Sequence, residues 1–155
     1  MPGSGYDASK FAVRLLSAMF FYAEAHNLGE VTGPDGIYNL TRPGDTRDTA
    51  LGPDAAFVQT ARLPGRTPGY AKLAPDLVAE MVSPSQYRPE MAKKAKLYIE
   101  RDVRLVWIIW PSSQTADIWR PSSPSAPVMT LTIADSLDGL DVLPGFSYPL
   151  ATLLR

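Results

Sequence analysis

The stretch from Leu73 to Pro111, LAPDLVAEMVSPSQYRPEMAKKAKLYIERDVRLVWIIWP, constrains the fold more than any other part of the chain. It reads as strand, turn, helix, strand. Leu77 to Val82 is a short apolar run interrupted by one carboxylate, Glu80. Ser83-Pro84-Ser85 makes a turn. Pro89 and Glu90 then open a helix, because proline suits the first helical position and a carboxylate complements the positive helix end. Arg101-Asp102 ends that helix, and Val103 to Trp110 follows as a β-branched and aromatic run long enough for a buried strand.

Two details of this unit carry chemical information. Strand side chains alternate, so Asp76, Val78, Glu80 and Val82 share one face of the first strand. Turned inward, Glu80 needs a compensating cation, because an unpaired buried carboxylate is very costly; turned outward, it is an ordinary solvated side chain. On the helix, Met91, Ala92, Ala95, Tyr98 and Ile99 form one apolar stripe. Lys93 and Glu100 point away from it, and Lys96 pairs with Glu100 at i+4 on one margin. Lys94 lies on the other margin beside Met91, Leu97 and Tyr98, placed to run its stem along apolar surface towards the sheet.

The rest of the chain sets bounds on function. A length of 155 residues suits one domain, and 45% hydrophobic with 20% charged residues is a globular balance. The absence of cysteine excludes a disulfide framework, a thiol nucleophile and a zinc–thiolate site, and a single histidine excludes a histidine-rich zinc site. No apolar run is long enough for a membrane span and no signal pattern opens the chain, so the expected compartment is the cytoplasm. A net charge of −1 makes no global case for nucleic acid, although Arg88 to Arg104 carries six basic residues against three acidic ones.

Along the chain, residues 1 to 6 are expected to be loose, with Asp7 capping a helix from Ala8 to about His26. Its apolar stripe is Phe11, Leu15, Ala18, Tyr22 and Ala25, and Phe20 with Phe21 adds a second apolar side that should be packed on the sheet or a partner. Asn27-Leu28-Gly29 stops this helix, and His26 in its last turn has no catalytic partner at useful spacing. Short strands follow at Glu30–Thr32, Gly36–Leu40 and Ala55–Val58, the first two joined by a Gly33-Pro34-Asp35 turn, with a polar loop over residues 41–52. After Pro111 come strands at Thr115–Arg120 and Val128–Ile133, an acidic loop containing Asp135, Asp138 and Asp141, and a short helix near Leu150 to Leu154. Helices interleaved with strands, without repeat or boundary, imply one α/β (α+β mixed-sheet) domain over residues 1–155, its central mixed β-sheet flanked by helices.

Four blocks, "GPDAAFV", "APDLVAEMVSPS", "KKAKLYIERDVRLVWII" and "DVLPGFSYPLATLL", resemble in order and spacing the Uma-family restriction endonucleases of the PD-(D/E)XK nuclease superfamily. The resemblance covers about residues 28 to 154. It implies a restriction-endonuclease-like core and divalent-metal hydrolysis of a DNA phosphodiester. Position by position, Asp54 matches the aspartate of the first strand motif and Glu80 the acidic residue of the second. Lys94 matches the lysine displaced onto the following helix, and Tyr98 the tyrosine one turn later.

Asp54 and Glu80 would then ligate Mg²⁺ or Mn²⁺, with the Met81 carbonyl as an additional oxygen, and Lys94 would hold the attacking water or the developing charge. Asp76 is expected to fix the strand entry instead of binding metal, with Ser83 and Tyr98 as supporting residues. Three departures stand out. The family's usual N-terminal strand is missing, which would leave a sheet edge to be covered. Ala8 and Ser9 stand where a histidine is usual, and Trp110 where an aspartate is usual. The alternatives are a catalytically degenerate fold acting as an oligomerisation or interaction domain, a homodimer through the Phe20/Phe21 helix or a sheet edge, and another two-carboxylate hydrolase such as a glycosidase, against which the lysine and the basic helix argue.

Overall fold

The computed structural model describes residues 5–155. In chain order the elements are α1 (Tyr6–Ala25), β1 (Gly29–Thr32), β2 (Tyr38–Asn39), β3 (Ala50–Leu51), β4 (Ala55–Gln59) and β5 (Leu77–Met81). There follow α2 (Arg88–Glu100), β6 (Leu105–Trp110), β7 (Thr115–Trp119), β8 (Met129–Leu131), β9 (Ser136–Asp138), β10 (Ser147–Pro149) and α3 (Leu150–Leu153). A six-stranded mixed sheet in the order β1-β4-β5-β6-β7-β8 forms the centre. Only β5 and β6 run parallel, joined through α2, and their neighbours are antiparallel.

Both faces of this sheet are covered, which explains why β6 reads LVWIIW without alternation. One face packs Phe57, Leu77, Trp107 and Ile109 against Phe11, Leu15 and Met19 of α1 and against Leu143, Phe146 and Leu150 near the C-terminus. The other packs Ala56, Val78, Val106 and Ile108 against Met91, Ala95, Tyr98 and Ile99 of α2. The stripe expected on α2 is therefore the one buried.

Both long helices end in the same way. After α2, Asp102 takes a left-handed conformation (φ 74°), its N–H reaches Ile99 O at 3.1 Å, and Val103 N–H reaches Tyr98 O at 3.0 Å. After α1, Asn27 (φ 51°) does the same, with Leu28 N–H on Ala23 O at 3.0 Å. These paired bonds satisfy carbonyls that a helix end leaves free.

Several expectations need correction. The loose segment expected over residues 1–6 lies outside the described residues up to residue 4, and Tyr6 is already helical. Gly5, not Asp7, occupies the N-cap of α1; the helix starts earlier, and Asp7 sits in its first turn, 3.1 Å from Lys10. Phe20 and Phe21 are 42% and 69% exposed, because Met19 and Ala23 take the buried stripe instead. The Gly33–Gly36 turn forms, with Gly36 N–H on Gly33 O, yet β1 pairs with β4 while β2 pairs with β3 in a separate small sheet. Strands β3 and β9 fall in segments read as loops, and β10 in a segment to which the sequence reading assigns no element. Lys96 and Glu100 are both exposed, and among the described residues they make no ion pair.

Candidate functional site

The β4/β5 ladder pairs Ala55 with Ala79 and Ala56 with Val78. Continued by one residue, this register sets Asp54 opposite Glu80, on the sheet face that carries Ala56, Val78 and α2. Directly opposed strand residues hold their Cβ atoms about 5 Å apart. The Asp54 carboxylate is fixed by the next residue along, as Met81 N–H donates to its Oδ2 at 2.7 Å.

Glu80 is 5% exposed and turned inward under α2. Its Oε1 receives the Tyr98 hydroxyl at 2.7 Å and lies 2.9 Å from the Lys94 ammonium. Lys94 and Tyr98 stand one helical turn apart, so a single helix face delivers both groups to one oxygen. The outward-turned alternative for Glu80, a solvated carboxylate on the wet face of its strand, is excluded by this geometry.

Burial governs the electrostatics. Loss of water pushes the Asp54 carboxyl above its ordinary range, against the pull of the Met81 N–H and of Lys94. Burial likewise pushes Glu80 up; the Lys94 charge opposes this, while the neighbouring Asp54 charge adds to it. Tyr98 is held firmly protonated by burial and by the Glu80 charge, so its hydroxyl is a donor.

The donor set fits a hard divalent cation. Each carboxylate commits one oxygen, and among the described residues Asp54 Oδ1 and Glu80 Oε2 accept no hydrogen bond. Among the described residues the one fully enclosed side-chain polar atom without a partner is Trp107 Nε1, so the second oxygen of Glu80 is not sealed in apolar packing. Among the described residues no three His, Cys, Asp or Glu side chains come together. Two carboxylates suit Mg²⁺ or Mn²⁺, which keep waters and take substrate phosphate oxygens.

The remaining predicted residues lie elsewhere. Asp76 is 1% exposed and accepts Gln59 N–H at 2.8 Å, Arg62 at 2.8 Å and Arg104 at 3.3 Å, pinning the start of β5 to its neighbours. Ser83 bonds Gln86 and Ser85 in the turn after β5 and does not reach Glu80. His26 caps α1 at the surface, stacked on Tyr22. Trp110 donates its indole N–H to Asp117 at 2.9 Å and lies under the Arg88 guanidinium. That Asp117 cluster, completed by Thr130, had no separate signal in the sequence.

No curated protein matches the chain. The fold is similar to the crystal structure of a putative nuclease belonging to DUF820 from Anabaena variabilis, with a TM-score of 0.78 at 17% identity, covering 99% of this chain and 83% of that one. The family model described as Uma2, putative restriction endonuclease, matches residues 1–152, and the chain belongs to that family.

Proposed function

We propose that this chain is a divalent-metal-dependent DNA endonuclease acting as one domain, with Asp54 and Glu80 as metal ligands and Lys94 as the catalytic cation. The observation that carries this reading is the meeting of Glu80 and Lys94 at 2.9 Å on a sheet face where Asp54 is the opposing residue. Membership of a family described as restriction endonucleases supports the same conclusion.

A Mg²⁺ or Mn²⁺ ion held by Asp54 and Glu80 would lower the pKa of a bound water and neutralise charge on the scissile phosphate. The protein's own groups do the rest. Asp54 is aimed by the Met81 N–H, and Tyr98 fixes the rotamer of Glu80. The Met81 carbonyl is available as a further oxygen, since a strand residue's N–H and C=O point to the same side. Lys94, about one-third exposed, offers N–H donors to the attacking water or to the oxygen on which charge develops. The basic residues of α2 favour a phosphate backbone, and the cytoplasm is the compartment that this substrate calls for.

The test is plasmid nicking by purified protein with Mg²⁺ or Mn²⁺, compared with Glu80→Gln. Metal-dependent nicking that disappears in the variant is expected; undiminished nicking in the variant would remove this site from the chemistry. A second reading, a fold used for interaction between copies, is favoured by the exposure of Val13, Phe20 and Phe21 on α1. It predicts a melting temperature that depends on protein concentration and not on metal.

A further inference from the structure

Beside the carboxylate pair, on the same face of the sheet, lies a cleft of about 500 Å³ with no part in the chemistry above. Its location follows from the ladder. Thr32, which lines the cleft, pairs with Ala56, two residues along β4 from Asp54. With a rise of ~3.3 Å per residue and strands ~4.8 Å apart, Thr32 stands roughly 8 Å from Asp54. The Gly33–Ile37 turn is a shared wall: Gly36 and Ile37 line the cleft, while Pro34 O and Ile37 pack closely over Gly52, two residues before Asp54.

The lining has a definite chemistry. Val58, Leu63 and Leu73 supply apolar surface, and Tyr70, 59% exposed, supplies a free aromatic ring. The wall bearing Tyr70 is held in place, since Asn39 N–H donates to Ala71 O at 2.8 Å and Ala71 N–H to Ile37 O at 2.9 Å. Thr32 and Tyr38 share a 2.7 Å hydrogen bond that presents two hydroxyls. Glu30 and Asp35 add carboxylate acceptors, and no lysine or arginine lines the cleft. Such a surface repels phosphate. It suits a flat, uncharged group with N–H donors on its edge and a face to stack.

We propose that this cleft seats an unpaired nucleobase of the DNA strand whose neighbouring phosphate lies at Asp54 and Glu80, which makes DNA with an unpaired or extruded base the substrate class. The proposal rests on the nuclease reading of that carboxylate pair for its orientation of the strand. A base within a duplex is stacked and hydrogen-bonded, so only one freed from its partner can enter a pocket. Tyr70 stacks on the base, and Glu30 accepts from its amino or imino group. The ligand's phosphate stays outside, towards the carboxylate pair and the basic residues of α2.

The test uses the full chain and fluorescent duplexes that are fully paired, carry one unpaired base, or carry one unpaired abasic residue, with binding read by anisotropy and cleavage by gel in Mn²⁺. The unpaired-base duplex is expected to bind roughly tenfold more tightly than the other two, the scale of one base stacked on an aromatic ring. Tyr70→Ala and Glu30→Ala, which remove the stacking ring and the acceptor respectively, should bring that preference to near unity, and Tyr70→Phe should keep it. Equal binding of all three duplexes, or a preference unchanged in Tyr70→Ala, overturns the proposal. So does competition by free nucleoside monophosphates as effective as that of the unpaired-base duplex. A chain that discriminates without cutting keeps the cleft and sinks the hydrolysis; one that cuts paired and unpaired duplexes alike sinks the cleft alone.

Discussion

The Lys94 ammonium lies 2.9 Å from the carboxylate of Glu80, although one is carried by a helix and the other by the strand before it. Fourteen positions of chain, the Ser83–Ser85 turn included, separate two groups that share one oxygen with Tyr98. If that ammonium stabilises charge in the transition state, Lys94→Ala should lower turnover about 10²- to 10³-fold, the range for losing one preorganised donor. KM for DNA should change far less, because other basic residues hold the backbone. Single-turnover cleavage of a labelled duplex separates the two; an equal loss in binding and turnover would make Lys94 a DNA-binding residue only.

Tyr98→Phe should act through Glu80. The hydroxyl makes a buried 2.7 Å bond to the carboxylate, and groups that orient a metal ligand are worth about 10- to 100-fold. The loss should appear as a higher Mn²⁺ concentration for half-maximal activity, largely recovered at saturating metal. A turnover defect that metal cannot rescue would give Tyr98 a role beyond holding its neighbour.

Glu80 and Lys94 were legible in the sequence because each breaks a local pattern: a carboxylate inside LVAEMV, and a lysine on the margin of an apolar helical stripe. Asp54 was not legible in that way. It precedes its strand in a loop, as Asp35 and Asp76 also do, and only resemblance to a family singled it out. Its position opposite Glu80 depends on the register of a non-local strand pair, which no local periodicity encodes. The same reason hid the partner of β1, where a good turn suggested pairing with β2 and long-range packing chose β4. Strands of two or three residues such as β3, β9 and β10 are too short to show alternation at all.

The carboxylate pair should cost stability at neutral pH. Asp54 and Glu80 both have folded-state pKa values raised by burial above the unfolded value of about 4. Groups shifted in this direction contribute stability that is fully present below the unfolded pKa and lost as pH rises through the folded one. Asp54→Asn keeps an oxygen for the Met81 N–H while removing the charge. Its melting temperature without metal should therefore exceed that of the wild type at pH 7, and the advantage should vanish towards pH 4. A wild type more stable at neutral pH would reverse the sign of this argument.

Metal should invert that order. An ion that binds only the folded chain stabilises it by RT ln(1 + [M]/Kd), about 2.7 kcal/mol at a hundredfold excess over Kd. Mn²⁺ should raise the melting temperature of the wild type, a chelator should abolish the rise, and Asp54→Asn should show little of it. An equal shift in both proteins would place the ion elsewhere.

The end of α2 offers a test of the fold independent of the site. Asp102 occupies the left-handed position that closes the helix, with its N–H on Ile99 O and the next N–H on Tyr98 O. A side chain there is strained by about 1 kcal/mol relative to glycine, which adopts this conformation freely. Asp102 also contacts Arg42 at 2.7 Å, but that carboxylate is 79% exposed, and exposed pairs contribute about 0–1 kcal/mol. Strain relief and the lost pair therefore oppose each other, and salt separates them by screening the pair. Asp102→Gly should match or exceed wild-type stability in low salt and exceed it by about 0.5–1 kcal/mol in high salt, read from urea unfolding at an unchanged m-value. Asp102→Ala, which loses the pair and keeps the strain, should be less stable than both. Because Tyr98 sits in the last turn before this cap, a helix end that frays in the alanine variant should also loosen the hydroxyl that steadies Glu80, and metal affinity should fall with it.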